Sequence, residues 1–178
     1  MRARWASLLL GLALLLAPAL YAAQELPGAL RAQVGNWRLQ GQGEMRWFGF
    51  AIYSAELWLS GPRFDMSQPF ALQLTYARDL SGDRLVTTSI DEIERLGTRD
   101  PALLASWRVQ LARVFPDVKS GETITGVYMP GRGASFYHEG KLRGEIVDQN
   151  LARSFFEIWF DPRTRAPELR QRLLGDNR

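Results

Sequence analysis

Side chains able to do chemistry are few in this sequence, and their spacing favours no common catalytic or metal site. The chain has no cysteine and a single histidine, His138. The lack of cysteine excludes disulfides, thiol catalysis and thiolate metal ligands, and one histidine is too few for an ordinary transition-metal site. Ser135 lies three residues away on a predicted strand, so the two side chains point to opposite faces and form no catalytic pair. We interpret His138, which precedes Glu139-Gly140, as an exposed turn residue, and we expect neither a metal nor a cofactor.

Charged residues offer one candidate for ligand binding. Arg78 and Asp79 end an apolar strand directly before Ser81, a residue type that caps helices. The pair could hold the corner between strand and helix, or it could place Arg78 at the mouth of a pocket, and both interpretations stay open. The acidic residues within 91–94 are interpreted as a solvated helix face, and the arginines within 163–172 as partners in exposed ion pairs.

Hydrophobic periodicity predicts the elements that would position these residues. Residues 37–59 read as two strands, with Phe48, Phe50 and Ile52 alternating in the second. In 70–76 the alternation is clean, which predicts a half-buried strand. Further strands are predicted over 122–129, 134–137 and 141–146, with a hairpin turn at 130–133.

Helical spacing begins after Ser81 and ends at Gly97, and a second helix begins at Asp100-Pro101 and ends before Pro116. The last third of the chain is predicted to be helical over 151–159 and 166–174. Strands, two helices, strands and then helices predict an α+β fold, in which a layer of helices covers one face of an antiparallel-rich sheet.

The N-terminus has the pattern of a secretory signal. Arg2 and Arg4 precede an uncharged stretch, 5–23, whose centre is SLLLGLALLL and whose end is rich in small residues. We predict a signal peptide over 1–23, cleaved somewhere in 19–23, and a single domain over 24–178. An uncleaved anchor is the alternative, although Pro18 and the short apolar region argue against it.

Export would leave the domain nearly neutral and without a stable membrane anchor. The chain has 22 Lys+Arg against 19 Asp+Glu, and removing Arg2 and Arg4 from the 22 leaves 20 against 19. This balance gives no argument for a nucleic-acid partner. In a Gram-negative host the expected compartment is the periplasm. Oligomeric state is not predicted.

Five segments in order resemble the chalcone isomerase superfamily, and in particular its bacterial exported branch. They are RWFGFAIYSAELW at 46–58, LTYARDLSGDRL at 74–85, FPDVKSG at 115–121, GKLRGEI at 140–146 and FFEIWFDPRTRAPELR at 155–170. The resemblance covers about 36–175. It implies that family's open-faced β-sandwich, a large antiparallel sheet with a layer of helices on one face.

The catalytic residues of the plant enzymes do not carry over by this resemblance. Aligning Ile52-Tyr53 on the family's Val-Tyr pair places Phe48 at the catalytic threonine. Aligning Leu80-Ser81-Gly82 on its Leu-x-Gly motif places Leu85 at the catalytic tyrosine. Neither side chain can form a hydrogen bond. For the family's upstream arginine, Asn36 falls near the position and Arg46 lies too close to the strand. We therefore expect no catalytic residues of that set and no chalcone isomerase activity.

Other members of the superfamily bind fatty acids in an apolar cleft between sheet and helices, where an arginine holds the carboxylate. The resemblance thus implies a non-catalytic protein that binds a small apolar or fatty-acid-like ligand. Two alternatives stay open: an isomerase or lyase that uses other residues of the same cleft, and an interaction or scaffold protein of the envelope. The candidate ligand-binding residues are Arg46, Tyr53, Tyr76, Arg78 and Arg84.

Overall fold

The computed structural model describes residues 37–176, so the predicted signal peptide and the first residues of the predicted domain lie outside it. The described chain forms six strands and four helices. The strands are β1 (Arg38–Trp47), β2 (Phe50–Leu59), β3 (Phe70–Tyr76), β4 (Thr123–Met129), β5 (Gly133–His138) and β6 (Lys141–Ile146). The helices are α1 (Gly82–Leu96), α2 (Pro101–Val114), α3 (Gln149–Phe160) and α4 (Pro167–Leu174).

The strands form a single antiparallel sheet in sequential order, β1 to β6. Helices α1 and α2 lie between β3 and β4 in the chain, and α3 and α4 follow β6. The predicted caps are confirmed: Ser81 Oγ accepts a hydrogen bond from the backbone N–H of Arg84 at 3.2 Å, and the Asp100 side chain caps α2 with Pro101 at the first turn.

Apolar side chains separate into two clusters, one on each face of the sheet. The large cluster contains residues of every helix together with the inward faces of the strands, for example Phe70, Phe136 and Phe156. The buried residues of the small cluster, which include Trp58 and Tyr137, all lie on strands. Helices therefore cover one face, which confirms the predicted α+β open-faced sandwich.

Three local predictions differ from the structure. Phe48 lies in the two-residue turn between β1 and β2, not in a strand. Strand β3 is buried on both faces, because Gln73 is 7% exposed and hydrogen-bonds to Thr125 on the face away from the helices. His138 is the last residue of β5 and is partly buried, with Nε2 3.0 Å from an Oε2 of Glu122.

Within residues 37–176, none of the helices has the length and apolar character needed to cross a membrane.

A candidate ligand-binding cavity between sheet and helices

An apolar cavity of about 370 Å³ lies between the helix-covered face of the sheet and the helices. Strands β1 to β4 contribute one wall, and helices α1 and α3 with the segment before α4 contribute the other. Most of the lining is apolar, and representative side chains are Met45, Leu74, Leu85, Ile124, Phe155 and Ile158. A small number of polar groups in an apolar cleft is the usual composition of a small-molecule site.

Two tyrosines on neighbouring strands share the wall of the cavity. Tyr53 on β2 pairs with Tyr76 on β3, and their rings lie edge to face with centroids 6.1 Å apart. The Tyr53 hydroxyl accepts a hydrogen bond from Nε1 of Trp159 at 3.0 Å. No hydrogen bond joins the Tyr76 hydroxyl to another residue of 37–176, so it is available to a ligand.

Burial raises the pKa of both phenols above the ordinary value of about 10, at which they are already neutral at physiological pH. It raises the pKa of Tyr53 to about 12, although the hydrogen bond from Trp159 acts in the opposite direction and the Glu92 carboxylate adds to the rise. Burial also raises the pKa of Tyr76, and the proximity of Tyr53 contributes. Neutral phenols at physiological pH can donate a hydrogen bond to a carboxylate or carbonyl oxygen.

Three arginines, Arg78, Arg84 and Arg165, line the cavity and expose their side chains, and Arg165 takes part in an ion pair. Arg78 follows β3 and Arg84 lies in the first turn of α1. Neither guanidinium forms an ion pair or side-chain hydrogen bond within the described part of the chain. Asp79, the neighbour of Arg78, instead pairs with Lys119 at 2.9 Å. Arg78 therefore lines the cavity, while Asp79 holds the corner after β3 through Lys119 and the backbone N–H of Ser120.

Arg46 lies outside the cavity, although its neighbours Met45 and Trp47 line it. Its guanidinium pairs with Glu44 at 2.9 Å and donates to the carbonyl oxygen of Gly49 at 3.0 Å. These contacts hold the β1–β2 turn. The structure thus brings Tyr53, Tyr76, Arg78 and Arg84 together and leaves Arg46 apart from them.

An acidic residue in the cavity wall was not expected from the sequence. Glu92, interpreted above as part of a solvated helix face, lines the cavity with its side chain 14% exposed. It pairs with Arg95 at 2.8 Å and with Arg165, also a lining residue, at 3.1 Å. Arg95 and Arg165 compensate the charge of the Glu92 carboxylate. Arg78 and Arg84 can therefore still attract an anion. The sequence signal is the helical spacing of Glu92 from Leu85, seven residues or two turns away on the same face.

Comparison with known proteins assigns the family. A family model described as chalcone isomerase-like matches residues 20–175. The chain belongs to the chalcone isomerase-like family. An uncharacterized protein of Haemophilus influenzae is 26% identical over 145 residues, which cover 81% of this chain and 71% of that protein. The crystal structure of a fatty-acid binding protein of Arabidopsis thaliana is similar in fold, with a TM-score of 0.59 and 14% identity. The match covers 80% of this chain and 88% of the other.

Two positions of this chalcone isomerase-like chain bear on catalysis. Leu85, which the resemblance places at the catalytic tyrosine, lines the cavity and offers no proton. Phe48, which the resemblance places at the catalytic threonine, does not line the cavity, because it lies in the β1–β2 turn with 86% of its surface exposed. The alignment of Ile52-Tyr53 on the family's Val-Tyr pair therefore places at the threonine a residue that is outside the cavity wall.

Metal-ligating side chains do not gather in the described part of this chalcone isomerase-like protein. Among residues 37–176 no group of three or more His, Cys, Asp or Glu side chains is placed to hold a metal ion. His138 pairs with Glu122 and is not part of the cavity wall. The polar side chains that do line the cavity carry phenols, hydroxyls, indoles, guanidinium groups and one carboxylate.

Proposed function

We propose that this protein binds one amphipathic carboxylate, of the size of a medium-chain fatty acid, without transforming it. The observation that carries the proposal is an apolar cavity lined by two exposed guanidinium groups that have no ion-pair partner among residues 37–176. Apolar walls favour an alkyl chain, and guanidinium groups bind carboxylates through charge-assisted hydrogen bonds.

The volume of the cavity suggests the length of the ligand. At roughly 30 Å³ for each non-hydrogen atom, the liquid volume of one water, about 370 Å³ accommodates about 12 such atoms. Each buried methylene contributes about 0.8 kcal/mol. Affinity should therefore rise about fourfold with each added methylene until the cavity is filled, and then level off.

Polar groups of the cavity wall favour a carboxylate head. The Tyr76 hydroxyl has no partner within the described chain, and Arg78 follows two residues later. Glu92, the acid in the wall, is compensated by Arg95 and Arg165. The fatty-acid binding described for the Arabidopsis neighbour is a further support, since both proteins have the same fold.

Export is part of the same proposal. It is supported by Arg2, Arg4 and the uncharged stretch at 5–23 that follows them. An exported carrier of fatty-acid-like molecules would act in the periplasm of a Gram-negative host. N-terminal sequencing of the protein recovered from a fractionated host tests this, and a protein that retains Met1 in the cytoplasm would contradict it.

Binding is tested with delipidated protein and fatty acids from octanoate to octadecanoate, by calorimetry and native mass spectrometry. We expect one ligand per chain and an affinity that levels off near ten carbons, because ten carbons and two carboxylate oxygens make about 12 non-hydrogen atoms. Ile158→Trp fills the cavity and should weaken binding at least tenfold, whereas Val109→Trp, on the exposed surface of α2, should leave it unchanged. Failure of every acid to bind, or equal binding by both variants, would refute the proposal.

A second candidate function is supported by one observation. Tyr53, Tyr76 and Arg78 line the same cavity, which an isomerase or lyase using these residues would require. Because both phenols are neutral, they would act as proton or hydrogen-bond donors. Conversion of a cyclisable unsaturated ketone, measured by absorbance and lost in Tyr76→Phe, would favour this function over simple binding.

A further inference from the structure

The tip of the β1–β2 hairpin exposes three large aromatic side chains next to one another. Trp47 is 51% exposed, Phe48 86% and Phe50 69%. We call residues 47–50 the aromatic tip. Such a concentration of apolar surface on an exposed turn marks an interaction site more often than it marks a neutral surface.

The aromatic tip projects beyond the rest of the sheet. Strands β1 and β2 stay paired as far as Trp47 and Phe50, whereas β3 ends at Tyr76, opposite Tyr53. The N–H of Ala77 still donates to the carbonyl oxygen of Ile52, so the two residues of β2 before Ile52 extend about 7 Å past this segment. A projecting hairpin can reach into a surface that the body of the domain does not touch.

The turn itself is unfavourable for the residue that it contains. Phe48 has φ 47° and Gly49 has φ 82°, the left-handed pair of a type I′ turn, for which Asn-Gly is preferred. A bulky residue in this region is strained, and the only ring contact of Phe48 among the described residues is with Trp47, at 5.2 Å between centroids. The fold gains little from Phe48, so its size and exposure point to a role outside the fold.

The aromatic tip is continuous with the mouth of the cavity. Trp47 belongs to both, and Ile52, at the base of the same hairpin, lines the cavity. Arg78 and Arg84 line the same cavity and have no ion-pair partner in residues 37–176, whereas Arg46 is neutralised by Glu44. Exposed aromatic side chains therefore share this end of the molecule with uncompensated positive charge.

We propose that the aromatic tip inserts into the headgroup region of an anionic lipid bilayer, and that the ligand of the cavity enters and leaves there. The inference rests on the proposed binding of a fatty-acid-like ligand. Tryptophan and phenylalanine partition into the interface between headgroups and acyl chains, and arginines are attracted to anionic lipids. A contact of three side chains is weak and reversible, as exchange of a ligand with a membrane requires.

The test compares vesicle binding by wild type and a tip variant, both purified in the form that expressing cells produce. Phe48→Asn with Phe50→Ser removes the apolar surface and restores the preferred Asn-Gly turn, so the variant should fold at least as well as wild type. Leu142→Ser with Val147→Ser is the matched control, since these residues are 53% and 75% exposed elsewhere. On vesicles of phosphatidylethanolamine and phosphatidylglycerol, flotation should show roughly tenfold weaker binding for the tip variant and no change for the control.

Dodecanoate binding in solution separates this inference from the proposed function. A tip variant that binds dodecanoate like wild type, but exchanges it with vesicles more slowly, supports the inference. If wild type binds dodecanoate but does not bind these vesicles, the inference is wrong and the proposed function is unaffected. Three other results would also overturn the inference. The tip variant could float with the vesicles as well as wild type does, or wild type could bind neutral phosphatidylcholine vesicles as well as anionic ones. Wild type could also form a dimer in solution that the tip variant does not form.

Discussion

Replacing Arg78 or Arg84 by glutamine should weaken the binding of a carboxylate without affecting the binding of the corresponding alcohol. Both side chains line the cavity and are exposed. A hydrogen bond to a charged group contributes about 1.5–3 kcal/mol, and exposure to solvent favours the low end of this range. Each substitution should therefore raise the Kd for dodecanoate about tenfold.

Dodecanol serves as the uncharged probe in the same calorimetric titrations. It fills the apolar cavity but has no carboxylate, so its Kd should change by less than about twofold in either variant. Arg46→Gln is the matched control, because Arg46 pairs with Glu44 outside the cavity. Raising the salt concentration should weaken dodecanoate binding by wild type more than by Arg78→Gln.

Two results would refute this reasoning. If Arg78→Gln and Arg84→Gln weaken dodecanol as much as dodecanoate, the arginines support the shape of the cavity and do not hold the head of the ligand. If neither changes dodecanoate binding while Arg46→Gln does, the ligand lies with its head toward the β1–β2 turn.

Three further predictions concern the framework of the cavity and the sheet. Tyr53→Phe leaves the indole N–H of Trp159 without its acceptor and should lower the free energy of unfolding by about 1–2 kcal/mol in urea titrations. Burial raises the pKa of Glu56, so its ionisation opposes folding once the pH exceeds the ordinary carboxyl value of about 4; Glu56→Gln should raise the Tm at pH 7 and not at pH 3. Gly126→Ala would place a Cβ 2.9 Å from Cζ of Phe156, and calorimetric unfolding should show a loss of about 1–3 kcal/mol.

Elements determined by neighbouring residues could be predicted from the sequence. The alternation in 70–76 gave β3, and its inward face, from Phe70 to Tyr76, belongs to the large core cluster. The caps at Ser81 and Asp100 located α1 and α2 because capping depends on the next three residues only. The order of strands and helices predicted the layers, and the family resemblance implied the same arrangement.

The parts of the site that depend on distant residues could not be predicted in the same way. Glu92 looks like one of several surface acids in its helix, and only the fold brings Arg165 to it. Phe48 alternates with Phe50 as a strand residue would, and its turn lacks the Asn or Asp that usually precedes glycine in such turns. His138 precedes a turn in the sequence, but its pairing with Glu122 depends on the register of β4 and β5.

The order of the strands has a consequence for folding kinetics. Strands β1 to β3 and β4 to β6 are two meanders whose contacts are local in sequence, and only the pairing of β3 with β4 must span the segment that contains α1 and α2. Contacts that are local in sequence form quickly, whereas the pairing of β3 with β4, which are distant in sequence, forms slowly. The cavity touches β2, β3 and β4, so it is completed only when the two meanders join. A bound ligand would therefore stabilise the pairing of β3 with β4, which forms late in folding. We expect the ligand to slow unfolding much more than it accelerates refolding.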